Sequence, residues 1–451
     1  MEDTRKIMLF EQVPVPRAVA QLAVPTILSS LVMVLYNLAD TYFVGLLNQP
    51  RQTAAVTVVG PVFVMLTAVS NLFAVGGASV MAHALGLKDE KRARQVSSLA
   101  FWGGLIAAVI FSALFYALAS PILRLCGATD ETYALAFGYA KWVVIWGGAG
   151  TILNLLLGNL VRAEGGAAVA AFGVALGGVC NIILDPIFVL PQFLDMGAEG
   201  AGAATAISNM LSALFFIAYV LIKRRRTVVC LSPACLRGAG RYLKNVLSIG
   251  FPSCVQYALT VVATAALSKF VSGYETEAVA ALGIVKKLDQ LPLYFSIGVA
   301  NGLLPLLAYN YSSGDQERRH AAFVFGCGVS LGFALLCLVV YEIFAPALTG
   351  LFIADARTIE YSAAFLRTMV VAMPMMSVCY PMIVQFQAMG KVKESLVCSV
   401  LRKGVLDIPL LFLLNALIPL YGCMAVQPIV DSLSLIVALG FYRRLRRSSA
   451  V

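Results

Sequence analysis

Apolar runs of about 20 residues or more recur along the whole chain, divided by short polar connections, and about 20 apolar residues is what a helix needs to cross a hydrocarbon core of about 30 Å. Twelve such runs are counted, at 18–47, 54–85, 96–122, 134–161, 167–191, 200–222, 245–270, 278–311, 321–349, 361–388, 395–418 and 422–442. The pattern predicts an all-α polytopic membrane protein with twelve transmembrane helices, because only helices and closed barrels satisfy their backbone in lipid. Little chain is left over for a soluble catalytic domain.

Composition agrees. Apolar residues make up 60% of the 451, charged residues 12%, and the mean hydropathy is +0.87, outside the range of soluble globular chains. The net charge of +10 comes from Lys and Arg crowded into the N-terminal arm, the even-numbered connections and the tail. By the positive-inside rule both termini are then cytoplasmic, in a plasma membrane. The basic blocks Lys223–Arg226 and Arg443–Arg447 border spans, so they read as anchors on anionic membrane lipid and not as a nucleic-acid patch. Met1 to Arg17 lacks a signal-peptide pattern, which keeps the first span. Most of the ten cysteines lie in apolar runs as small hydrophobes. Cys230 and Cys235 share a cytoplasmic loop without a histidine nearby; a reduced thiol pair is expected there, and no zinc.

A shift of about 225 residues brings landmarks into register, the mark of an internal repeat. Pro25 meets Pro252, Gly60 meets Gly283, Pro121 meets Pro346, and Ala163-Glu-Gly165 meets Ala388-Met-Gly390. Lys88–Arg92 falls opposite Gly314–Arg318. Six spans per copy give both copies one orientation, so the chain divides into an N-terminal six-helix bundle at 1–222, a basic cytoplasmic linker at 223–244 and a C-terminal bundle at 245–451.

Within the first bundle three spans carry polar residues at one depth. Asp40, Asp185 and Thr205 each lie about 8–10 Å below the outer surface by helix rise, and Asn181 shares a helix face with Asp185 four residues on. An unpaired acid in hydrocarbon costs roughly 2.5–3.5 kcal/mol even on lenient scales, so these acids need a partner or a task. Two carboxylates close together in a low dielectric cannot both carry charge without a cation between them. Four hard oxygen donors suit a proton or Na⁺. Under the half-chain register the second copy has Leu267, Gly404, Ile408 and Gln427 at the matching positions, with no acid among them. Helix glue accounts for a lone Thr or Asn more readily than for two ionisable groups. Pro25 should kink the first span, offering a hinge fifteen residues from Asp40. Asn154 is a further cavity candidate.

Elsewhere polarity reads more plainly. Lys286, Lys287 and Asp289 fall in the first turns of the eighth span, where local pairing or snorkelling is expected. Asp407 and Asp431 fit a contact in the second bundle as well as helix packing. His83 and His320, the only histidines, border cytoplasmic loops, which argues against a metal centre or an intramembrane histidine base.

Several stretches together resemble the multidrug and toxic compound extrusion (MATE) family over nearly the whole chain. They are Val24-Pro-Thr-Ile-Leu28, Tyr36-Asn-Leu-Ala-Asp40, Arg162-Ala-Glu-Gly165, Asn181-Ile-Ile-Leu-Asp185-Pro and Ala204-Thr205-Ala-Ile-Ser208. Pro305–Asn310, Phe386–Gly390 and Gln427–Asp431 add to them in the second half. The resemblance implies two six-helix bundles in a V that alternate between outward-open and inward-open states. It also implies multidrug efflux: export of small organic cations or amphiphiles in exchange for H⁺ or Na⁺, by a monomer that needs no cofactor. Asp40, Asn181, Asp185 and Thr205 would be the cation site, with Pro25, Tyr36, Asn37 and Asn154 as cavity or hinge. Thr260 stands where some members carry a glutamate, so a coupling route through the second bundle is not expected; Leu304 stands where many carry a glutamine, so the family's substrate contacts in the eighth span are not carried over.

The nearest rival is a lipid-linked precursor flippase of the same superfamily, which would want a cationic cavity for pyrophosphate. The acids inferred for this cavity favour cations, although Lys286 and Lys287 keep that alternative open. An enzyme would need a nucleophile and base at matching depth, and neither histidine qualifies. A channel would more usually be built by oligomeric symmetry.

Overall fold

The structure, a computed structural model, describes residues 8–47, 49–352 and 355–448. The first half runs through α1 (Val15–Gly45), α2 (Pro50–Gly86), α3 (Glu90–Ala117), α4 (Ala119–Leu125), α5 (Tyr133–Ala140), α6 (Gly148–Ala163), α7 (Ala167–Val189) and α8 (Gly197–Ile222). The second half runs through α9 (Leu243–Val271), α10 (Thr276–Ser313), α11 (Gln316–Gly350), α12 (Ala356–Val370), α13 (Met373–Ala388), α14 (Val392–Val400), α15 (Asp407–Leu417) and α16 (Tyr421–Ser448). Every described element is helical. Nine helices are long and apolar enough to cross a membrane among the described residues, and two bent pairs bring the number to eleven. The segment from Val392 to Leu417 forms two helices joined by a wide turn, Leu401–Val405, in which Gly404 takes φ +128°.

Local chemistry repeats between the halves. Asp89 caps α3 by accepting from the Arg92 N–H at 2.9 Å, and Asp315 caps α11 by accepting from the Arg318 N–H at 2.9 Å. The residue before each cap, Lys88 or Gly314, has positive φ (57° and 87°). The bends repeat as well: 48° between Tyr133–Trp146 and α6, and 46° between α12 and α13. Outward faces stay apolar and exposed, as at Ile106, Val109 and Ile110 of α3 and Leu335, Leu336 and Val339 of α11, which is where acyl chains would lie.

The two halves meet toward the end of the bundle that carries the N-terminal arm. There α2 packs on α9, and α1 on α10. Gly76 and Gly250 allow the first crossing: a Cβ on Gly76 would strike the Val246 backbone, and one on Gly250 the Leu72 backbone. Gly298 and Gly302 allow the second, against Ile27 and Ala23. Ser79 Oγ donates to the Gln387 carbonyl at 3.0 Å, and the His83 ring reaches the Ala388 carbonyl.

The linker docks on the first half. Trp102 Nε1 donates to Leu231 O at 3.1 Å, Ser98 Oγ to Ser232 O at 2.9 Å, and Thr227 Oγ1 to the Glu164 carboxylate at 2.7 Å. Cys230 and Cys235 are joined as a disulfide, which corrects the expected reduced pair. The short helix Pro233–Leu236 folds the loop back on itself and brings their Cα atoms to 6.9 Å.

Candidate functional site

The polar residues singled out in the first bundle converge. Helices α7 and α8 pack side by side and α1 lies against α7, so Asp40, Asn181, Asp185 and Thr205 face one another. The Asn181 amide donates to Asp185 Oδ1 at 3.2 Å and to Thr205 Oγ1 at 3.3 Å. Asp185 is 0% exposed and Asn181 2%. Asp40, half-buried on α1, is close enough for its charge to act on Asp185. Gly178 permits this approach, because a Cβ there would lie 2.6 Å from Val32.

What the cluster lacks is as informative as what it holds. Three buried oxygens, Asp40 Oδ1, Asn181 Oδ1 and Asp185 Oδ2, have no hydrogen-bond partner among the described residues. A buried acceptor left unmade costs about 1–3 kcal/mol, more when charged, and here three acceptors stand at one place. A proton on a carboxyl, or a small hard cation among the oxygens, would satisfy them. Among the described residues no group of three or more His, Cys, Asp or Glu could hold a metal ion.

The cluster borders a cavity of about 510 Å³ between the two halves of the chain, in the size range of a drug-sized ligand. Tyr36, Asn37 and Asp40 line it from α1, and Tyr257, Lys287 and Tyr294 from the second half. Asn37 donates to Met33 O at 2.9 Å. Asn154 lies behind, lining a smaller recess with Asn181 and Thr205, and its amide ties α6 to α8 through Asn209 (2.9 Å) and Ser212 (2.6 Å). Pro25 sits inside a continuous α1, and the adjacent Thr26 hydroxyl donates back to Leu22 O at 2.7 Å.

Tyr139 was missed. It lies just before the wide turn Lys141–Trp146 and brings its ring to Thr205 and the cavity. In sequence it is one aromatic in an apolar run, with nothing to mark its direction.

Two expectations need correction. The ionisable lining of the cavity, tyrosines aside, is Asp40 against Arg162 and Lys287, so its charges are not acidic in sum. Lys287 does not snorkel to the membrane surface: it stands about 16 Å along α10 from the helix start and faces the cavity. The second half also holds a polar network of its own. Arg402 Nε pairs with Asp431 Oδ1 at 2.9 Å, Gln427 Nε2 donates to Asp431 Oδ2 at 2.7 Å, and Lys403 Nζ donates to Gln427 Oε1 at 2.5 Å. Asp407 accepts from the Gly404 N–H at 2.7 Å. Thr260 Oγ1 donates back to Gln256 O at 2.8 Å, its one side-chain hydrogen bond among the described residues.

A helical membrane protein with a central cavity between two halves, and a polar cluster beside it in one of them, is the architecture of a transporter. The MatE family model matches the chain at 25–187 and again at 252–413, segments that begin at Pro25 and Pro252; the chain belongs to this family of membrane transporters. It is similar to the multidrug export protein MepA of Staphylococcus saprophyticus, 29% identical over 434 residues, which cover 96% of this chain and 95% of that one. A solved structure described as the outward-facing conformation of a multidrug resistance MATE family transporter of the MOP superfamily superposes with TM-score 0.90 at 26% identity. A crystal structure of MATE in the straight conformation does so with the same score and identity, and each covers 98% of both chains.

Proposed function

We propose that the protein is a secondary antiporter of the plasma membrane, both termini cytoplasmic, that exports small amphiphilic molecules in exchange for H⁺ or Na⁺. The reading rests on one observation: three partnerless buried oxygens, on Asp40, Asn181 and Asp185, gathered beside Thr205 at the edge of a ligand-sized cavity. The names of relatives as multidrug export proteins support export as the direction and drugs as the cargo.

The bundles at 1–222 and 245–451 would rock about their shared interface. With the N-terminal arm in the cytoplasm, the contacts at Gly76, Gly250, Ser79 and Gln387 close the cytoplasmic side, and the cavity faces outward. Ion entry from outside neutralises Asp40 and Asp185 and changes the affinity of the adjoining cavity for cargo. Only a difference in affinity between the two states can couple the fluxes. Pro25 leaves the Gln21 carbonyl without its helical N–H partner, so α1 can bend there at low cost when Asp40 changes charge.

Proteoliposome efflux of a fluorescent amphiphilic cation, driven in turn by a proton gradient and by a sodium gradient, tests the proposal. Export that follows one gradient in the wild type and falls to the passive leak in Asp40→Asn is the expected result. Undiminished gradient-driven export in that variant would remove the coupling role of the site.

A further inference from the structure

Helix α2 of the first half holds the end of α13 of the second through two side-chain donors. Ser79 and His83 lie four residues apart on one face of α2; Ser79 Oγ donates to the Gln387 carbonyl at 3.0 Å, and His83 Nε2 to the Ala388 carbonyl. The backbone N–H groups of Met389, Gly390 and Lys391 close on Gln385, Gln387 and Phe386 at 3.0, 3.1 and 2.8 Å, which leaves the Ala388 carbonyl to the imidazole. Gly390 makes that turn with φ +66°, and a Cβ on it would lie 4.0 Å from the His83 ring. His83 is half-buried and stands three residues before the end of α2 at Gly86, about 5 Å along the helix.

No acid answers this ring. Arg92 of α3 is close enough for its charge to act on the imidazole, and the Tyr311 ring of α10 lies 5.9 Å away, centre to centre. Arg319 of α11 reaches the end of α13 through Met389 Sδ at 3.1 Å, and Lys244 at the start of α9 is exposed. The carboxylates on this side are engaged elsewhere. Asp89 and Asp315 cap their helices, Glu11 accepts from Tyr309 and pairs with Lys88 at 3.9 Å, and Glu164 at the end of α6 accepts from Thr227. His83 itself forms no ion pair among the described residues.

An imidazole is the side chain whose ordinary charge change falls between pH 5 and pH 8. Neutral, it supplies the one N–H that the Ala388 carbonyl needs. Charged, it keeps that bond but sets a second cation beside Arg92 between the two halves. The end of a helix favours a cation, yet stripping an ion of its water without a carboxylate to receive it costs more than one helix terminus returns. Separation of the halves gives the ring back to water, so protons bind the separated arrangement better and by linkage favour it. We propose that His83 is a proton sensor of the seam, whose charging by cytoplasmic acid releases α2 from the end of α13 and favours the inward-open arrangement. This rests on the orientation and rocking of the reading above, and on none of the residues of its coupling site. Cytoplasmic pH then sets how often the seam opens, independently of the ion that enters at Asp40 and Asp185.

The test places nitroxides at Lys91 and Lys393, exposed positions on either side of the seam, through genetically encoded keto amino acids that leave the native cysteines alone. Their separation is read by double electron–electron resonance on the full-length protein in lipid nanodiscs, with Asp40→Asn and Asp185→Asn silencing the proposed coupling acids. Between about pH 8 and about pH 5.5 the ratio of separated to closed protein should rise about fivefold or more. His83→Gln keeps a donor for the Ala388 carbonyl and takes up no proton, so its ratio should stay at the alkaline value, whereas His83→Arg, charged throughout, should hold the acid one. His83→Asn is the second neutral donor if the glutamine variant does not elute as monodisperse protein. A pH response that is absent with His83 in place, or that survives in the neutral variant, overturns the proposal. A His83-dependent response alongside wild-type export that follows neither ion gradient would bring down the antiport reading and leave this one standing.

Discussion

Arg402 and Asp431 form an ion pair sealed from solvent, Nε to Oδ1 at 2.9 Å, with side-chain exposures of 1% and 0%. The guanidinium also lies 4.1 Å from the centre of the Tyr380 ring, and Gln427 holds the second carboxylate oxygen. Removing one partner strands the other charge, so Arg402→Met should lower stability by about 3–5 kcal/mol. Replacing both, Arg402→Met with Asp431→Leu, should recover most of the loss, because an apolar pair of similar volume leaves no buried charge. Thermal unfolding in detergent compares the three proteins. If the double variant is no more stable than the single, the pair is more than a structural clasp.

At the proposed cation site, Asn181 and Thr205 differ from the two acids in what they can lose. Thr205→Ala removes one neutral oxygen and frees a donor on Asn181, so the ion concentration for half-maximal export should rise about tenfold while maximal export survives. Asp185→Asn should instead abolish coupling, and Asp40→Asn combined with it should be no worse, since the two act as one unit. Flux measured against ion concentration in proteoliposomes separates these outcomes.

Much of this site was legible because its signals are chemical. An acid inside an apolar run, and an Asn four residues from another acid, stand out whatever the fold, and helix rise put Asp40, Asp185 and Thr205 at one depth before any contact was known. Direction was the hidden quantity. Tyr139, Lys287 and Arg162 are ordinary residues in sequence, and only the packing of α5, α10 and α6 turns them toward the cavity. Arg402 and Lys403 escaped notice inside the run at 395–418, because the wide turn at Leu401–Val405 that carries them inward has no apolar periodicity to announce it. The Cys230–Cys235 bond was misread for a related reason: spacing and compartment were weighed, but not the fold-back of the loop at Pro233.

The crossing of α2 and α9 leaves no room for side chains. Gly250→Val would place its Cβ against the Leu72 backbone, which cannot move aside like the tip of a flexible side chain. Overpacking costs about 1–3 kcal/mol, enough to shift a two-state equilibrium about fivefold or more away from the closed arrangement. Cysteines at Ser79 and Gln387, whose backbone carbonyl Ser79 now contacts, report on closure by cross-linking. The yield should fall in Gly250→Val relative to the same cysteine pair alone. An unchanged yield would mean that the two halves do not separate along this seam.

Arg318 fastens the N-terminal arm to the second half. Its guanidinium donates to the carbonyls of Leu9, Phe10 and Val13, while the Phe10 ring stacks on Tyr309 at 4.8 Å and the Tyr309 hydroxyl donates to Glu11 at 2.7 Å. The arm leads directly into α1, so it straps the first helix of one half to α10 and α11 of the other, on the side where the halves meet. In the proposed rocking motion, opening that side would break these bonds, so their strength would set part of the balance between the two states. Arg318→Ala removes all three carbonyl contacts at once, although Asp315 still caps α11 through the backbone N–H of the same residue. Amide exchange over residues 8–13 should then speed up, with α11 little changed. Export should also become less dependent on the size of the ion gradient, because the closed side opens more readily. Slow exchange in the arm of Arg318→Ala would assign the strap to the Phe10–Tyr309 stack instead.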